Sequence, residues 1–280
     1  MTKNVIITGV STGIGYACAQ MFIGEGYKVF GSVRKKEDGE RLQSELGENY
    51  YPLVFDVTSK EEITQEFGRL KTLVSDGVVC LINNAGYAVT GPVEFLDVQE
   101  YRDQFEVNFF SIIEITKACL PLLKLAKKNG LNPRVINMSS IAAKNCMPFM
   151  TPYSASKAAV DSLTEGLRRE LMVFGIDVVA LNPGPIATPI WSKIEEFSTE
   201  VQNSEYGLPL KRLMKLVRKS EKQAVGVDRF ARVVFNTFKV RNAKVSYVFT
   251  SGKWVRYYLP KYLLSTRKYD RLLAKVLKMI

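Results

Sequence analysis

Two residues four apart, Tyr153 and Lys157, are the pair in this chain best suited to acid–base chemistry. Histidine is absent, so no Ser–His–Asp triad, histidine-ligated zinc or HExxH site can be built. Proton transfer near neutrality must then come from a Tyr, Lys, Cys or carboxylate retuned by its surroundings. Thr151-Pro152-Tyr153 reads as a helix start, with Thr as cap and Pro at the first helical position. Residues four apart share one face of such a helix. An ammonium beside a phenol favours phenolate, so Lys157 is expected to lower the Tyr153 pKa from its usual value of about 10.

A second cluster suits a phosphate ligand. The apolar run Asn4–Thr8 leads into Gly9-Val10-Ser11-Thr12-Gly13-Ile14-Gly15 and then an apolar-periodic stretch. Glycines 9, 13 and 15 allow a tight turn and let backbone amides approach a pyrophosphate at a helix N-terminus. The next strand-like run ends in Ser32-Val33-Arg34-Lys35-Lys36, with no acid before Glu37. An Asp or Glu there would bind the 2′-hydroxyl of NAD, whereas a basic cluster around Arg34 suits the 2′-phosphate of NADP. NADP is therefore expected over NAD.

These groups need a scaffold, and the chain alternates strand-like and helix-like runs. Strand candidates are Asn4–Thr8, Tyr27–Val33, Tyr51–Phe55, Val78–Ile82, Arg134–Met138, Ile176–Leu181 and Val245–Thr250. Helical stretches fall at Gly13–Gly26, Glu37–Leu46, Lys60–Ser75, Tyr101–Lys128, Pro152–Phe174 and Asp228–Val240. The expectation is a single-domain α/β fold, a doubly wound (Rossmann) parallel sheet of seven strands with helices on both faces. Residues 1–252 would form the dinucleotide-binding catalytic domain. An insertion at about 185–225 breaks the alternation and reads as a substrate lid. It offers Trp191, Ile194, Phe197, Leu208, Leu210, Leu213, Met214, Leu216 and Val217, which suits a lipophilic ligand.

The TGxxxGxG loop resembles that of the short-chain dehydrogenase/reductase family, in its non-extended branch. The resemblance continues in order through Asn83-Asn84-Ala85-Gly86, Asn108, Ser140, Tyr153 with Lys157, and Pro183-Gly184. It implies hydride transfer between nicotinamide C4 and a carbonyl carbon, with Tyr153 as general acid/base. Ser140, 13 residues before Tyr153, is implied to stabilise the oxyanion. Lys157 is implied to bind the nicotinamide ribose and tune Tyr153. Asn108 is implied to hold a water linking Lys157 to solvent. Further cofactor contacts are implied at Gly9, Ser11, Thr12, Gly13, Ile14, Gly15, Asp56, Val57, Asn84, Ala85, Gly86, Pro183, Gly184, Ile186 and Thr188. Ala143 stands where the family often has Gly. Ser162–Phe174 and the following GIDVVALNPGPIATPIW most resemble the hydroxysteroid and retinol dehydrogenase-like branch. That implies a lipophilic alcohol and its ketone or aldehyde. A 3-oxoacyl-carrier-protein reductase and a non-catalytic dinucleotide-binding sensor or scaffold are the competing readings. Relatives commonly pair through the two long helices, so a homodimer or homotetramer is expected.

Composition bounds the rest. The 280 residues are 46% apolar and 24% charged, ordinary for one large globular domain. Four scattered cysteines without a CxxC pair suggest reduced thiols and a cytoplasmic setting. The net charge of +11 is uneven. Residues 205–280 hold 19 basic and 4 acidic groups, a net of +15, against −4 for residues 1–204. Such asymmetry attracts anionic lipid, nucleic acid or an acidic carrier, but no nucleic-acid recognition motif is present. In residues 253–280, a basic amphipathic segment, the expected apolar stripe is Tyr262, Tyr269, Leu272, Leu273, Val276 and Ile280. It would cover the cleft or lie on a membrane surface.

Overall fold

Strands of four to seven residues carry apolar side chains on both faces, the mark of a sheet covered on both sides. In the computed structural model, which describes residues 3–188, 190, 197–250 and 259–280, seven strands form one parallel sheet. They are β1 (Asn4–Ile7), β2 (Lys28–Val33), β3 (Tyr50–Val54), β4 (Val78–Asn83), β5 (Arg134–Met138), β6 (Asp177–Pro183) and β7 (Ser246–Phe249). Their order is β3-β2-β1-β4-β5-β6-β7, so the direction of winding reverses between β1 and β4. Ligands in open α/β sheets lie outside the strand carboxyl ends at such a reversal.

Alternation along each strand divides the core. Val5 and Ile7 join one apolar cluster and Ile6 the other, as a two-residue period requires. On the first face lie α1 (Gly13–Gly24), α2 (Lys36–Leu46) and α9 (Val227–Lys239), which bury Phe22, Leu42, Phe230 and Val234. On the second lie α3 (Lys60–Leu73), α5 (Ser111–Lys128) and α6 (Thr151–Leu171), with Phe67, Ile115, Leu122 and Leu171. The doubly wound expectation holds. Among the described residues no helix is long and apolar enough to cross a membrane. The cysteines are all free thiols, with Cys18, Cys80 and Cys119 buried.

One expected element divides differently. The stretch Tyr101–Lys128 is α4 (Val98–Phe105), a π turn (Glu106–Phe110) and then α5. Helix α4 starts earlier than apolar periodicity indicates because Asp97 and Glu100 form a reciprocal capping box. Between β6 and α9 the insertion contains α7 (Thr199–Asn203) and α8 (Gly207–Glu221). After β7, residues 259–263 form a helical turn and α10 spans Thr266–Leu277. Trp191, Ile194 and residues 253–258 lie outside the described residues.

Arg134 fastens the far edge. Its Nε donates to Asp177 Oδ2 at 2.9 Å, and its guanidinium also donates to the carbonyls of Thr237, Phe238 and Val240 at the end of α9. Helix C-termini leave such carbonyls without partners, and a buried one left bare costs about 1–3 kcal/mol. Arg134→Met should therefore lower the unfolding free energy by about 2–4 kcal/mol in urea denaturation. A loss below about 0.5 kcal/mol, the level of an ordinary surface change, would contradict this role.

Candidate active site

Three central strands carry an asparagine at their last or next-to-last residue, Asn83, Asn137 and Asn182, and around these ends the candidate residues gather. Asn83 Nδ2 donates to Asn137 Oδ1 at 2.8 Å and to Thr116 Oγ1 at 3.2 Å, and Asn137 Nδ2 donates to Thr164 Oγ1 at 2.9 Å. Asn182 Nδ2 donates to the Ser140 carbonyl at 3.1 Å and to Asp161 at 2.9 and 3.1 Å. This buried row ties α5 and α6 to the sheet edge, since most buried amide atoms find partners, although Asn83 Oδ1 has none among the described residues.

Helix α6 brings Tyr153 and Lys157 onto one face, both buried. Its cap position is Met150, without a side-chain cap, so Thr151 is the first helical residue and not the cap. Pro152 sits in the first turn, as expected. The preceding Phe149 holds a left-handed backbone, φ 65°, which is uncommon for a bulky residue and often found at functional sites.

The Lys157 ammonium donates to the Met138 carbonyl at 2.8 Å and lies 5.8 Å from the centre of the Tyr153 ring. Burial pushes its pKa down to about 8, while Asp161, one turn further along α6, opposes the fall. The expected direction for Tyr153 needs correction. Burial raises its pKa, and the opposing influence is a hydrogen bond from the Ser140 hydroxyl, not the ammonium. Desolvation of the phenolate outweighs that hydrogen bond.

Ser140 caps a short 3-10 turn (Ile141–Ala143), its Oγ accepting from the Ala142 amide at 3.1 Å. Ser139 Oγ instead donates to the Lys157 carbonyl at 3.1 Å and so anchors α6. Asn108 is fully buried in the π turn. Its side chain accepts from the Tyr87 amide at 3.1 Å and donates to the Tyr87 carbonyl at 3.0 Å and Ser156 Oγ at 3.1 Å. The amide group is thus committed to protein partners. The π turn is the local irregularity that functional helices often carry.

The glycine loop lies between β1 and α1, and its neighbours are close. A Cβ on Gly9 would come within 2.9 Å of the Ala85 Cα, and one on Gly15 within 2.7 Å of Asn84 Nδ2. Gly9 and Gly13 take positive φ values of 68° and 62°, which glycine adopts without strain. Thr12 stands at the cap of α1 but makes no side-chain cap, leaving helix amides facing outward for an anion. Thr8 Oγ1 accepts from the Asn84 and Ala85 amides, both at 2.9 Å, and Asn84 Nδ2 donates to the Thr8 and Gly9 carbonyls at 2.8 and 3.0 Å. Such a close-backed loop fits a dinucleotide pyrophosphate. Arg41 Nη2 donates to the Ser11 carbonyl at 3.1 Å, and Ile14 packs against the core. Arg34 is exposed at the end of β2.

The remaining candidates follow other strands. Asp56 Oδ1 accepts from the Thr58 amide at 2.8 Å, and Val57 is buried in the second core cluster. Gly86 lies beside Asn108 and Lys157, where an added Cβ would meet their side chains at 3.0 and 3.5 Å. Pro183 ends β6, and the Gly184 amide donates to the Phe249 carbonyl at 2.7 Å. Ile186 is buried and bridges Val225, and the Thr188 amide donates to the Ile186 carbonyl at 2.8 Å. Sequence reasoning passed over Thr8, Arg41, Asp161 and Asn182. Two of them carried a readable signal, Thr8 as the first residue of the TGxxxGxG loop and Asp161 by its spacing of four from Lys157.

An apolar wall stands beside Tyr153. It contains Phe149, Met150, Val201, Leu210, Leu213 and Leu277, so α7, α8 and α10 all reach it, with Phe197, Leu216 and Val217 packed against it. Leu208 instead faces outward, 52% exposed. The expected stripe of α10 also needs correction. Tyr269 and Leu277 are buried and Leu273 half-buried, while Tyr262, Leu272, Val276 and Ile280 are exposed. The helix presents its 269, 273, 277 ridge inward, the spacing of residues on one face, and Asn145 Nδ2 donates to the Tyr269 hydroxyl at 2.7 Å.

A parallel sheet wound in this order, with a glycine loop and a Tyr–Lys helix at its carboxyl edge, defines a dinucleotide-binding oxidoreductase type of fold. The sequence pattern of the short chain dehydrogenase family matches residues 3–199, and the chain belongs to that family. It is 36% identical to an NADPH-dependent 3-dehydrocapnine reductase of Ornithobacterium rhinotracheale over 99% of this chain and 98% of that one. It is 32% identical to a 3-ketodihydrosphingosine reductase of Bacteroides thetaiotaomicron over 78% and 77% of the two chains. A solved short-chain dehydrogenase of Streptomyces avermitilis superposes with a TM-score of 0.78 at 26% identity, covering 98% and 97%.

Asn84 is the hinge of the glycine loop in this arrangement. Asn84→Ala removes two bonds that hold the loop carbonyls, at about 0.5–1.5 kcal/mol each. It should weaken NADPH binding about tenfold in a fluorescence titration. Unchanged affinity would show that the loop holds its shape without Asn84.

Proposed function

We propose that this chain is an NADP(H)-dependent oxidoreductase that interconverts a lipophilic alcohol and its ketone or aldehyde, acting chiefly as a carbonyl reductase. The observation that carries this reading is the buried Tyr153–Lys157 pair, with Tyr153 hydrogen-bonded to Ser140, Lys157 to the Met138 carbonyl, and an apolar wall beside them. The likeness to one reductase with NADPH in its name supports the cofactor, and that name together with the 3-ketodihydrosphingosine reductase supports the direction. The exposed Arg34 at the end of β2 supports NADP, since a guanidinium matches a 2′-phosphate.

When bound, the cofactor supplies hydride from its nicotinamide C4. The glycine loop, Asn84 to Gly86 and the Pro183–Thr188 turn would hold it, with Asp56 and Val57 at the adenine end and Lys157 at the nicotinamide ribose. Ser140 donates to the substrate carbonyl oxygen and stabilises the charge that develops there. Tyr153 gives its proton to that oxygen, becoming phenolate, and recovers it in the oxidation direction. Lys157 favours the phenolate while it carries its own charge. Asn108 positions Ser156 and the Tyr87 backbone around this pair, and a water relay to Lys157 would rest on backbone groups of the π turn. Exposed Phe110, Met172 and Val173, near the ends of α5 and α6, support a homodimer or homotetramer through those helices.

Tyr153→Phe should leave NADPH affinity unchanged and cut turnover by at least about a hundredfold, read from absorbance of the reduced nicotinamide. Near-normal turnover would overturn the assignment. In the parent, Tyr153 stays protonated past its ordinary range whereas Lys157 loses its charge at about 8. The reduction rate should therefore fall as pH rises through about 8. A rate flat across that range would remove Lys157 from the mechanism.

A further inference from the structure

We propose that the helical turn at residues 259–263, helix α10 and the neighbouring face of α8 rest on an anionic lipid bilayer. This deepens the reading of a lipophilic substrate, and it stands on different observations. Twenty large apolar residues are exposed among the described residues, and eight of them fall within residues 259–280. Leu259, Tyr262 and Leu263 stand at the i, i+3, i+4 spacing of one helix face and are 49, 69 and 72% exposed. Met279 and Ile280 extend the exposed apolar surface past α10.

Cations surround these side chains. Arg267, Lys268, Arg271, Lys275 and Lys278 are exposed along α10 and its end, with Asp270 as the only acid of the 259–280 segment. Helix α8 packs against α10 and exposes Lys211, Lys215, Arg218 and Lys219. Apolar residues beside a band of Lys and Arg make the pattern of an interfacial helix, whose apolar groups enter the acyl boundary while its cations meet headgroups. The charge favours lipid over a second copy, because pairing two such surfaces would bring like charges together.

The inward face of the same helix gives the contact a purpose. Tyr269 bonds Asn145, and Leu277 is fully buried in the apolar wall that includes Tyr153. One helix thus has the bilayer on its outer side and the cleft on its inner side. A lipophilic ketone dissolved in the membrane would reach the cleft along α10 and α8 without crossing water.

The test is co-sedimentation of the full chain with vesicles of phosphatidylcholine alone, or of phosphatidylcholine with phosphatidylglycerol, at low and high salt. Sedimentation should require phosphatidylglycerol and weaken with salt. The double variant Arg271→Glu, Lys275→Glu should bind at least about thirtyfold more weakly, since each cation near the surface contributes about 1 kcal/mol. Leu263→Ser should also weaken binding, with an unchanged urea midpoint in both variants. Failure to sediment, equal sedimentation with both vesicles, or indifference to the double variant would overturn the proposal. So would a dimer in gel filtration that the double variant breaks, which would assign the surface to a second copy. None of these readouts needs turnover, so loss of docking with retained NADPH-dependent reduction would leave the catalytic reading intact, and the reverse would leave the docking.

Discussion

The candidate site depends on one costly act, the burial of the Lys157 ammonium. Taking such a charge out of water is unfavourable by several kcal/mol unless partners replace the solvent. The chain supplies the Met138 carbonyl at 2.8 Å and the field of Asp161. The compensation is incomplete, and the pKa falls to about 8. The same contacts set the position of α6. Lys157 grips the end of β5 through its side chain, and Ser139 grips the Lys157 carbonyl from the next residue along. Tyr153, one turn earlier, is carried to the Ser140 hydroxyl by that docking.

The polar row at the strand ends makes this docking rigid. Asn83, Asn137 and Asn182 stand at the last or next-to-last residue of three neighbouring strands, and each passes hydrogen bonds to a helix or to the next strand end. Asn182 joins Ser140 to Asp161, and Asp161 pairs with Lys144 at 2.7 Å. The group that sustains the Lys157 charge and the residue beside the Tyr153 hydroxyl therefore share one support. On the other side of the reversal, Asn84 does the same for the glycine loop by tying it to the end of β4.

Much of this was legible in the sequence. Short apolar runs alternating with helical periods marked the seven strands, because both faces of a parallel sheet are covered. The spacing of Tyr153 and Lys157 put them on one helix face. What spacing could not carry was environment. The direction of the Tyr153 pKa depends on how far burial outweighs a neighbouring charge, and no sequence pattern reports burial depth. The π turn around Asn108 was hidden because residues 101–128 keep a continuous helical character. The rotation of α10 was misjudged for a similar reason: its apolar residues cover more than one face, and packing against α8 selected Tyr269, Leu273 and Leu277. Asp161 and Asn182 were ordinary polar residues until the fold brought them behind Lys157.

The most direct check is the proton of Lys157 itself. Lysine side-chain NMR of the folded chain, assigned by comparison with Lys157→Met, can follow its ammonium through an alkaline titration. The structure predicts a midpoint of about 8, well below the ordinary 10.5. A midpoint at 10.5 would mean that the charge is solvated, that α6 does not seat it against Met138, and that the arrangement around Tyr153 is not the one described.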